Sequence, residues 1–267
     1  MRDAVLTYEA LNNLDVWQQM PTITLDEMRG VKLMNRIDTK YVLSESEVLR
    51  LIDGLRAEGY SVQLIGDVRA CRYDTLYYDT ASRDMYIAHH NQQLTRQKIR
   101  TRTYLESDTT FLEIKNKTNR GRTKKRRIEI AHEELRNFKH NAAAMTFYSA
   151  NARYAHAAIS PALATRFVRI TLVNPRLTER LTIDLSLSYE DVRSGHTATI
   201  PHMAIVELKQ DGNSLSTAKR LMRDMRIPPL KVSKYCLGTT LTVDGIKHNR
   251  FKEKIREIHK RLSTLTH

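Results

Sequence analysis

Basic residues are concentrated between positions 96 and 127 of this 267-residue chain. This segment holds three acidic residues, Glu106, Asp108 and Glu113, against twelve basic ones: Arg96, Lys98, Arg100, Arg102, Lys115, Lys117, Arg120, Arg122, Lys124, Lys125, Arg126 and Arg127. Arg presents a planar, permanently charged fork to phosphate oxygens, and Lys acts as a point charge. The segment therefore predicts a site for an anion.

The spacing of these residues is more informative than their number, because residues two apart on a β-strand point to the same face. Shared faces are predicted for Lys98, Arg100 and Arg102; for Glu113, Lys115 and Lys117; for Arg122, Lys124 and Arg126; for Arg36, Asp38 and Lys40; for Arg72 and Asp74; and for Glu207 and Lys209. The other faces are apolar, with Ile99, Leu112, Ile114, Ile128, Ile130, Val206 and Leu208. If the apolar faces pack under helices, the cationic faces converge on the interior of a barrel.

A cationic interior requires a compensating anion, since small barrels normally fill their centre with apolar side chains. Each close pair of like charges costs about 1 kcal/mol or more at a protein-like dielectric. We therefore expect a multiply charged, elongated ligand such as triphosphate or polyphosphate. Carboxylates in such a site are explained if a divalent ion bridges them to phosphate oxygens, which makes Glu207 and Glu113 the candidate ligands of Mn2+ or Mg2+.

The predicted elements are those of an α+β protein. Segments 36–43, 70–79, 94–105, 109–118, 123–130, 164–173, 180–190 and 203–210 have strand-type composition, and the short turns at 105–109 and 118–123 indicate antiparallel hairpins. About eight strands suit a small closed barrel. Ser44 with Glu47 predicts the start of a helix that ends near Gly59, and further helices are expected at 133–157 and 214–226.

The two ends of the chain are predicted to be helical and to belong to the same single domain, 1–267. Residues 1–30 suggest short helices, with Thr24 and Glu27 as a capping box. The tail, 246–267, repeats apolar residues at Phe251, Ile255, Ile258, Leu262 and Leu265, a spacing typical of one buried helical stripe. We expect this stripe to pack on the barrel rather than to pair two chains.

Composition restricts the partners and the setting. A formal charge of +14 favours nucleic acid, an acidic membrane surface or a small polyanion. The two cysteines are far apart, which argues against a disulfide framework and a zinc site, and the long apolar run that a membrane helix requires is missing. A cytoplasmic protein without membrane insertion is expected. We find no P-loop, dinucleotide-binding glycine motif or metalloprotease motif.

Seven short motifs, taken in order, resemble the polyphosphate polymerase domain of vacuolar transporter chaperone (VTC) proteins, a branch of the triphosphate tunnel metalloenzyme (CYTH-like) superfamily. They span about 34–238 and read Arg36-Ile-Asp-Thr-Lys40-Tyr41, Tyr77-Tyr78-Asp79, Lys98-Ile-Arg100-Thr-Arg102, Phe111-Leu-Glu113-Ile-Lys115, Arg166-Phe-Val-Arg169, Val206-Glu207-Leu-Lys209 and Ser233-Lys234-Tyr235. The cyclase and triphosphatase branch carries Glu-x-Glu-x-Lys on its first strand. Here the run is Arg36-x-Asp38-x-Lys40, which favours the polymerase-like branch.

The resemblance implies an eight-stranded antiparallel tunnel and transfer of the terminal phosphate of ATP to a polyphosphate chain. Under it, Glu207 holds Mn2+ or Mg2+, and phosphates in the catalytic centre are bound by Lys40, Arg100, Arg102, Lys115, Arg169 and Lys234. Further substrate-binding candidates are Arg36, Arg72, Lys98, Lys124, Arg126, Lys209 and Ser233.

Other interpretations of the same residues stay open at this stage. Glu113 and Glu207 could serve only as salt-bridge partners of Lys115 and Lys209, and the basic run could lie on an exposed face. His89 and His90 are expected in a surface turn. The alternative functions are a triphosphatase that uses the same tunnel and a protein that binds polyphosphate or nucleic acid without catalysis. Of these ligands, nucleic acid is the least expected.

Overall fold

The computed structural model describes residues 6–31, 36–212 and 215–263. Its strands are β1 (Thr22–Thr24), β2 (Arg36–Ser44), β3 (Ser61–Leu64), β4 (Ala70–Thr80), β5 (Arg96–Tyr104), β6 (Thr109–Lys117), β7 (Thr123–Ile130), β8 (Ile159–Val173), β9 (Glu179–Asp191), β10 (Thr197–Thr199) and β11 (Met203–Asp211). Its α-helices are α1 (Tyr8–Asn12), α2 (Glu45–Ala57), α3 (Asp84–His90), α4 (Ala142–Asn151), α5 (Thr217–Asp224), α6 (Lys234–Thr242) and α7 (Asn249–Ser263). Short 3-10 turns occupy Asp15–Gln19, Glu27–Gly30, Leu105–Ser107, His132–Leu135 and Phe138–His140.

The main sheet is a path of eight strands in the order β2-β11-β9-β8-β4-β5-β6-β7, and every neighbouring pair in it is antiparallel. These are the eight strands that the sequence predicts, and both predicted hairpins, β5-β6 and β6-β7, are present. Three short strands were not predicted: β10 pairs with β9, and β1 pairs with β3, which joins β8. The α+β class is confirmed.

The expected closure of the barrel is wrong. In the described part of the chain the two end strands of the path, β2 and β7, are not hydrogen-bonded to each other. The sheet therefore curls around a cavity but leaves an opening between its edges. The physical reason lies in β7, which carries a run of charged, exposed side chains at 124–127, and charged edge strands resist pairing.

Helices cover the outer face of the curled sheet. Beside β2, β11, β9 and β8, a core of apolar side chains is formed with α2, which contributes Val48, Leu51, Ile52 and Leu55. Beside β4, β5, β6 and β7, a second core forms around Ile99, Leu112 and Ile114 with α4. The residues predicted to face outward do so, because burying these β-branched and Leu side chains under helices removes them from water.

The inner face of the sheet is divided between two chemistries. One part is cationic and lines the cavity described below. The other part is apolar: Leu163, Phe167, Leu187 and Tyr189 pack with α6 and with Ile258 of α7 in one buried cluster. The cationic faces therefore converge on only part of the interior, because the apolar part seats α6, whose residues 235–237 are buried.

Local signals account for most helix boundaries. Ser44 and Glu47 form the predicted capping box of α2, and Gly59, at φ +74°, follows its last turn. Thr24 and Glu27 also exchange the reciprocal bonds of a capping box, with Glu27 accepting from the Thr24 amide at 2.7 Å. The tail forms α7, and its stripe packs on the sheet as expected. Leu265 lies outside the described residues.

Other helix predictions need correction. The helix expected at 133–157 is reduced to two 3-10 turns and α4. The side chains of Asn137 and Asn141 each accept a hydrogen bond from a backbone N–H group two or three residues further on, so each residue begins a new helical segment. Helices α3 and α6 were not predicted. His89 and His90 end α3 rather than forming a surface turn, and His90 is buried with 1% exposure. None of the described helices is both long and apolar enough to cross a bilayer.

The contact of α6 with the sheet gives a testable prediction. A Cβ on Gly238 would lie 2.7 Å from Cδ2 of Leu163 and still closer to the Tyr189 ring. Ala normally stabilises a helix relative to Gly by about 0.5–1 kcal/mol, yet we expect Gly238→Ala to lower the free energy of unfolding by about 1–3 kcal/mol through overpacking. Urea denaturation measures this. Gly30→Ala, where nothing lies within 4 Å, is the control. A stabilised Gly238→Ala variant would contradict the close approach.

Candidate anion-binding tunnel

The inner face encloses a cavity of about 1880 Å³ to which all eight strands of the path contribute side chains. Within the described part of the chain, seventeen Lys and Arg residues line it, against the two acidic residues Asp38 and Glu207. Such an excess cannot arise from salt-bridge networks, which need opposite charges in similar numbers. The lining therefore carries a large excess of positive charge, which favours an anionic ligand.

Most of the predicted site residues meet in this cavity. The residues that line it are Arg36, Lys40, Lys98, Arg100, Arg102, Lys115, Arg169, Lys209, Lys234, Ser233 and Glu207. They come together because alternation along β2, β5, β6, β8 and β11 turns each basic residue toward the inner face, while α6 brings Ser233 and Lys234 over it. Lys98 donates to the Ser233 hydroxyl over 2.9 Å, which ties α6 to β5.

A fully buried carboxylate holds the cations of β5 and β7 in place. Glu113 has 0% side-chain exposure; one of its oxygens accepts from Arg100 Nε at 2.7 Å, and the other contacts Lys125. Burial alone would raise the pKa of Glu113, but Arg100 and Arg102 lower it below its usual range. Glu113 is therefore ionised, and it positions Arg100 rigidly.

A second carboxylate was missed by sequence reasoning. Asp184 on β9 accepts from Arg169 in a bidentate pair, at 2.5 and 2.8 Å, and contacts Lys234 of α6. Burial lowers the pKa of Lys234 and the nearby Arg169 lowers it further, to about 8, although Asp184 opposes this. The period-two spacing of Arg180, Thr182 and Asp184 was the available signal. The partner of Asp184 could not be inferred from this spacing, because it depends on which strand lies beside β9.

The third carboxylate, Glu207, is held more loosely. Its oxygens lie 3.6 Å from Lys40 Nζ and 3.5 Å from Lys209 Nζ, beyond ordinary charge-assisted hydrogen bonds. Burial raises the pKa of Glu207, but Lys40 and Lys209 hold it well below its usual value. Glu207 is thus an ionised carboxylate that faces the cavity with free coordination capacity.

This environment fits a divalent ion only if the ligand shares in binding it. No group of three or more His, Cys, Asp or Glu side chains among the described residues could hold a metal by itself. Mg2+ commonly takes one or two carboxylates together with substrate phosphates, and Glu207 suits that arrangement. Glu113 does not line the cavity, and both its oxygens are engaged by cations. The structure therefore does not support the expectation that Glu113 is a metal ligand.

The face predicted for β7 is also wrong. Lys115 on β6 faces Lys125, not Lys124, and Glu113 faces Arg127. Lys125 and Arg127 line the cavity, whereas Lys124 and Arg126 point to the other face, where Arg126 donates to Asn151 over 2.5 Å. The sequence already indicated this orientation. Lys124 and Arg126 lie on the same face of the strand as Ile128 and Ile130, which pack outward.

Arg72 is likewise placed outside the cavity. It lies on the outer face of β4, pairs with Glu106 at 2.9 Å and stacks over the Tyr8 ring at 4.5 Å. Its neighbours Tyr73 and Tyr77 take the inner face. Arg72 and Asp74 have the same spacing as the other period-two pairs. On β4, however, the residues that alternate with them and face the cavity include two aromatic residues, so Arg72 and Asp74 face outward.

Aromatic rings support the guanidinium groups from behind. Tyr73 and Phe167 stack with centroids 5.1 Å apart. Arg169 lies 4.9 Å from the Tyr73 centroid, and Arg102 lies 5.5 Å from each ring. Cation–π contacts of this kind favour the charged groups at a position where burial opposes them. They fix the direction of both guanidinium groups without neutralising them.

Tyr77 reports the strength of the positive field. Its side chain lines the cavity, and Arg100 Nη1 donates to its hydroxyl over 3.4 Å. Burial raises the pKa of a phenol, yet Arg100, Arg102 and Lys98 together lower the pKa of Tyr77 to about 8. The cationic field thus outweighs desolvation, which means that the phenolate form of Tyr77 is stabilised here relative to that of a free tyrosine.

Comparison with known proteins is consistent with this geometry. The family model described as the VTC domain matches residues 35–243, most of the chain. The chain belongs to the VTC domain family. The resemblance inferred from the motifs is thereby confirmed, and comparison with curated proteins gives no match.

Solved structures similar to this VTC domain share little sequence with it. A putative adenylyl cyclase from Hippeastrum, reported to have a dominant triphosphatase activity, is 14% identical, with a TM-score of 0.46, covering 80% of this chain and 100% of its own. A putative adenylate cyclase from Vibrio parahaemolyticus is 10% identical, with a TM-score of 0.44 and coverage of 77% and 99%. A conserved hypothetical protein from Pyrococcus furiosus is 11% identical, with a TM-score of 0.39 and coverage of 71% and 87%.

The shifted pKa values predict how anion affinity changes with pH. As pH rises through about 8, Lys234 loses its proton and Tyr77 gains a negative charge, and both changes oppose a phosphate ligand. We expect the triphosphate dissociation constant to rise about tenfold or more between pH 7 and pH 9. Isothermal titration calorimetry measures this.

The double variant Lys234→Arg with Tyr77→Phe is the matched comparison, because guanidinium stays charged and Phe stays neutral over this range. Its profile should be flatter than that of the wild type, and the ionisation of the ligand cancels between the two proteins. An unchanged slope would mean that other groups control binding.

Without ligand, the free energy of unfolding should rise with pH, which is opposite to the trend in affinity. Folding lowers the pKa values of both Lys234 and Tyr77, so the stability gained at high pH is lost as pH falls through about 8.

Proposed function

We propose that this VTC domain is a metal-dependent phosphotransferase that moves the terminal phosphate of ATP to a polyphosphate chain inside the cavity. The observation that carries the proposal is the cavity lining, seventeen cations against two carboxylates. Such a lining suits a long phosphoric anhydride and leaves a monocarboxylate or a neutral substrate with far too little negative charge. Membership of the VTC domain family supports the same class of substrate.

The pre-set positions of the cations support catalysis rather than storage. In phosphoryl transfer the protein contributes mainly positioning and electrostatic stabilisation. Arg100 is fixed by Glu113 and Arg169 by Asp184, so their remaining N–H groups are directed before the substrate arrives. Lys40, Lys115 and the other lysines of the lining add point charges that follow the phosphate oxygens. Little reorganisation is then needed as charge develops on the transferring group.

Glu207 is the residue we assign to a divalent ion, Mn2+ or Mg2+. When bound, such an ion shields negative charge on the phosphate oxygens. Glu207 keeps its negative charge because Lys40 and Lys209 lower its pKa, and it is the cavity-lining carboxylate that no Arg engages. This arrangement leaves Glu207 able to exchange its lysine contacts for an ion that arrives with the substrate.

Hydrolysis of inorganic or nucleoside triphosphate is the second candidate. The same cations would bind the substrate, with water replacing the phosphate acceptor. One observation favours it: the sheet is not closed between β2 and β7, and Lys40 and Lys125 in the lining are 33% and 38% exposed. Water therefore has access to the cavity. Phosphate release without chain growth would select this reaction.

Non-catalytic binding of nucleic acid receives less support. Of the basic run, Lys98, Arg100, Arg102 and Lys115 face inward, where a duplex cannot follow them. The residues that remain available outside, such as Arg120, Arg122 and Lys124, lie at one hairpin. A strong salt dependence of nucleic-acid binding, with displacement of triphosphate, would support this function instead.

A product assay tests the proposed reaction. Incubation with ATP and Mn2+ or Mg2+ should yield polyphosphate, detected by gel electrophoresis, together with ADP. The Arg100→Gln/Arg102→Gln variant should reduce the rate by about 100-fold or more, because each removed group stabilises transition-state charge. Lys124→Gln/Arg126→Gln, on the outer face of β7, removes the same charge and should keep the wild-type rate. ADP and free phosphate without polymer would reject polymerase activity.

The role of Glu207 can be tested separately from that of the cations. We expect Glu207→Gln to lower the metal-dependent rate by about 100-fold while metal-free triphosphate binding is kept or tightened, because a negative charge leaves a cationic cavity. Thermal shift with triphosphate, in the presence and absence of Mn2+, measures the binding. A normal metal response in Glu207→Gln would place the ion elsewhere.

A further inference from the structure

Five of the seventeen basic residues that line the cavity lie at one end of it and are not among the predicted phosphate-binding residues. They are Arg96 of β5, Lys117 of β6, Lys231 before α6, and Arg250 and Lys254 of α7, and we call them the outer vestibule. Lys254 donates to the Lys231 carbonyl over 3.2 Å, which links α7 to the preceding loop. Three separate parts of the chain, the β5-β6 hairpin, this loop and α7, therefore meet at one mouth.

The vestibule continues the ladder of cations along β5. Arg96, Lys98, Arg100 and Arg102 all line the cavity, at every second residue. Six residues of strand span about 20 Å, with Arg96 at the outer end. Arg96 lies directly opposite Lys117, as Lys98 lies opposite Lys115. Like charges opposite each other destabilise a sheet, so the folded protein tolerates a repulsion here that an anion would relieve.

Protein carboxylates do not provide that relief. Among the described residues, no ion pair joins any of the five vestibule cations to an acidic side chain. His89, which borders the vestibule, shows the result: burial lowers its pKa, and Lys98, Arg96 and Lys254 lower it further, to about 2. A neutral imidazole thus lies among the cations and adds to their number neither a positive nor a compensating negative charge.

A single triphosphate does not need these residues. The remaining cavity already holds twelve basic residues, balanced only by Asp38 and Glu207 in the lining and by Glu113 and Asp184 behind it. That excess is enough for three phosphates. Additional phosphates that extend past Lys98 would reach Arg96 and Lys117 next, and then the two cations of α7.

We propose that the outer vestibule is a binding site for the part of an inorganic polyphosphate chain that extends beyond the three phosphates held in the cavity. It rests on the proposed function. The vestibule makes the protein favour long chains over triphosphate. Helix α7, for which the sequence predicts only a packing role, contributes two of the five basic groups. The two α7 residues can be changed without touching the sheet.

Affinity for two ligands of different length tests this assignment. In Arg250→Gln/Lys254→Gln, the dissociation constant of a long polyphosphate should rise about tenfold at physiological salt. The slope of its logarithm against the logarithm of the salt concentration should fall by about two. Inorganic triphosphate should bind within twofold of the wild type. The matched control is Lys252→Gln/Arg256→Gln, two exposed residues of α7 outside the cavity lining, which lowers the formal charge of +14 by the same two.

The outcomes separate this inference from the proposed function. Equal losses in the two α7 variants, or equal losses for triphosphate and polyphosphate, would overturn the vestibule assignment. So would displacement of polyphosphate from the wild type by single-stranded nucleic acid of equal charge. Failure of wild-type protein to bind triphosphate would instead reject the proposed function. Circular dichroism of both variants checks that α7 stays folded.

Discussion

Mutual repulsion among cations that share one cavity is the constraint on which this structure depends. The chain brings seventeen basic side chains to a single inner surface, and Coulomb energy would separate them if nothing held them. Buried carboxylates restrain selected members: Glu113 holds Arg100 and Lys125, and Asp184 holds Arg169 and Lys234. Because these carboxylates lie behind the lining, they fix positions without filling the space that a phosphate chain would occupy.

The apolar parts of the fold supply the energy that this arrangement requires. Two cores under α2 and α4 cover the outer face, and a third beneath α6 and α7 fills part of the inner face. Burial of apolar surface is the main favourable contribution to folding, and here it stabilises a sheet whose inner charges oppose it. Division of the inner face has a functional consequence, since α6 is anchored on apolar residues and delivers Ser233 and Lys234 to the cations.

Incomplete closure of the sheet distinguishes the observed architecture from the expected barrel. Strand β7 keeps charged side chains on both faces at its edge, so it does not pair with β2 in the described part of the chain. Helices and loops add further residues to the lining of the cavity, among them Arg250 and Lys254 of α7.

The sequence alone determined the eight strands, most of their inward cations and the family, because strand alternation is local and the motifs keep their order. Arg100, Arg102, Lys115 and Glu207 were identified in this way. Tertiary structure decided what depends on partners distant in sequence: that Asp184 pairs with Arg169, that both oxygens of Glu113 are engaged, and that Arg72 lies outside. The orientation of β7 is an intermediate case, since Ile128 and Ile130 already fixed its parity, but only the register with β6 showed which cations face Lys115. Alternation along one strand is set by local backbone geometry, whereas the neighbour of each side chain is set by how the sheet curls.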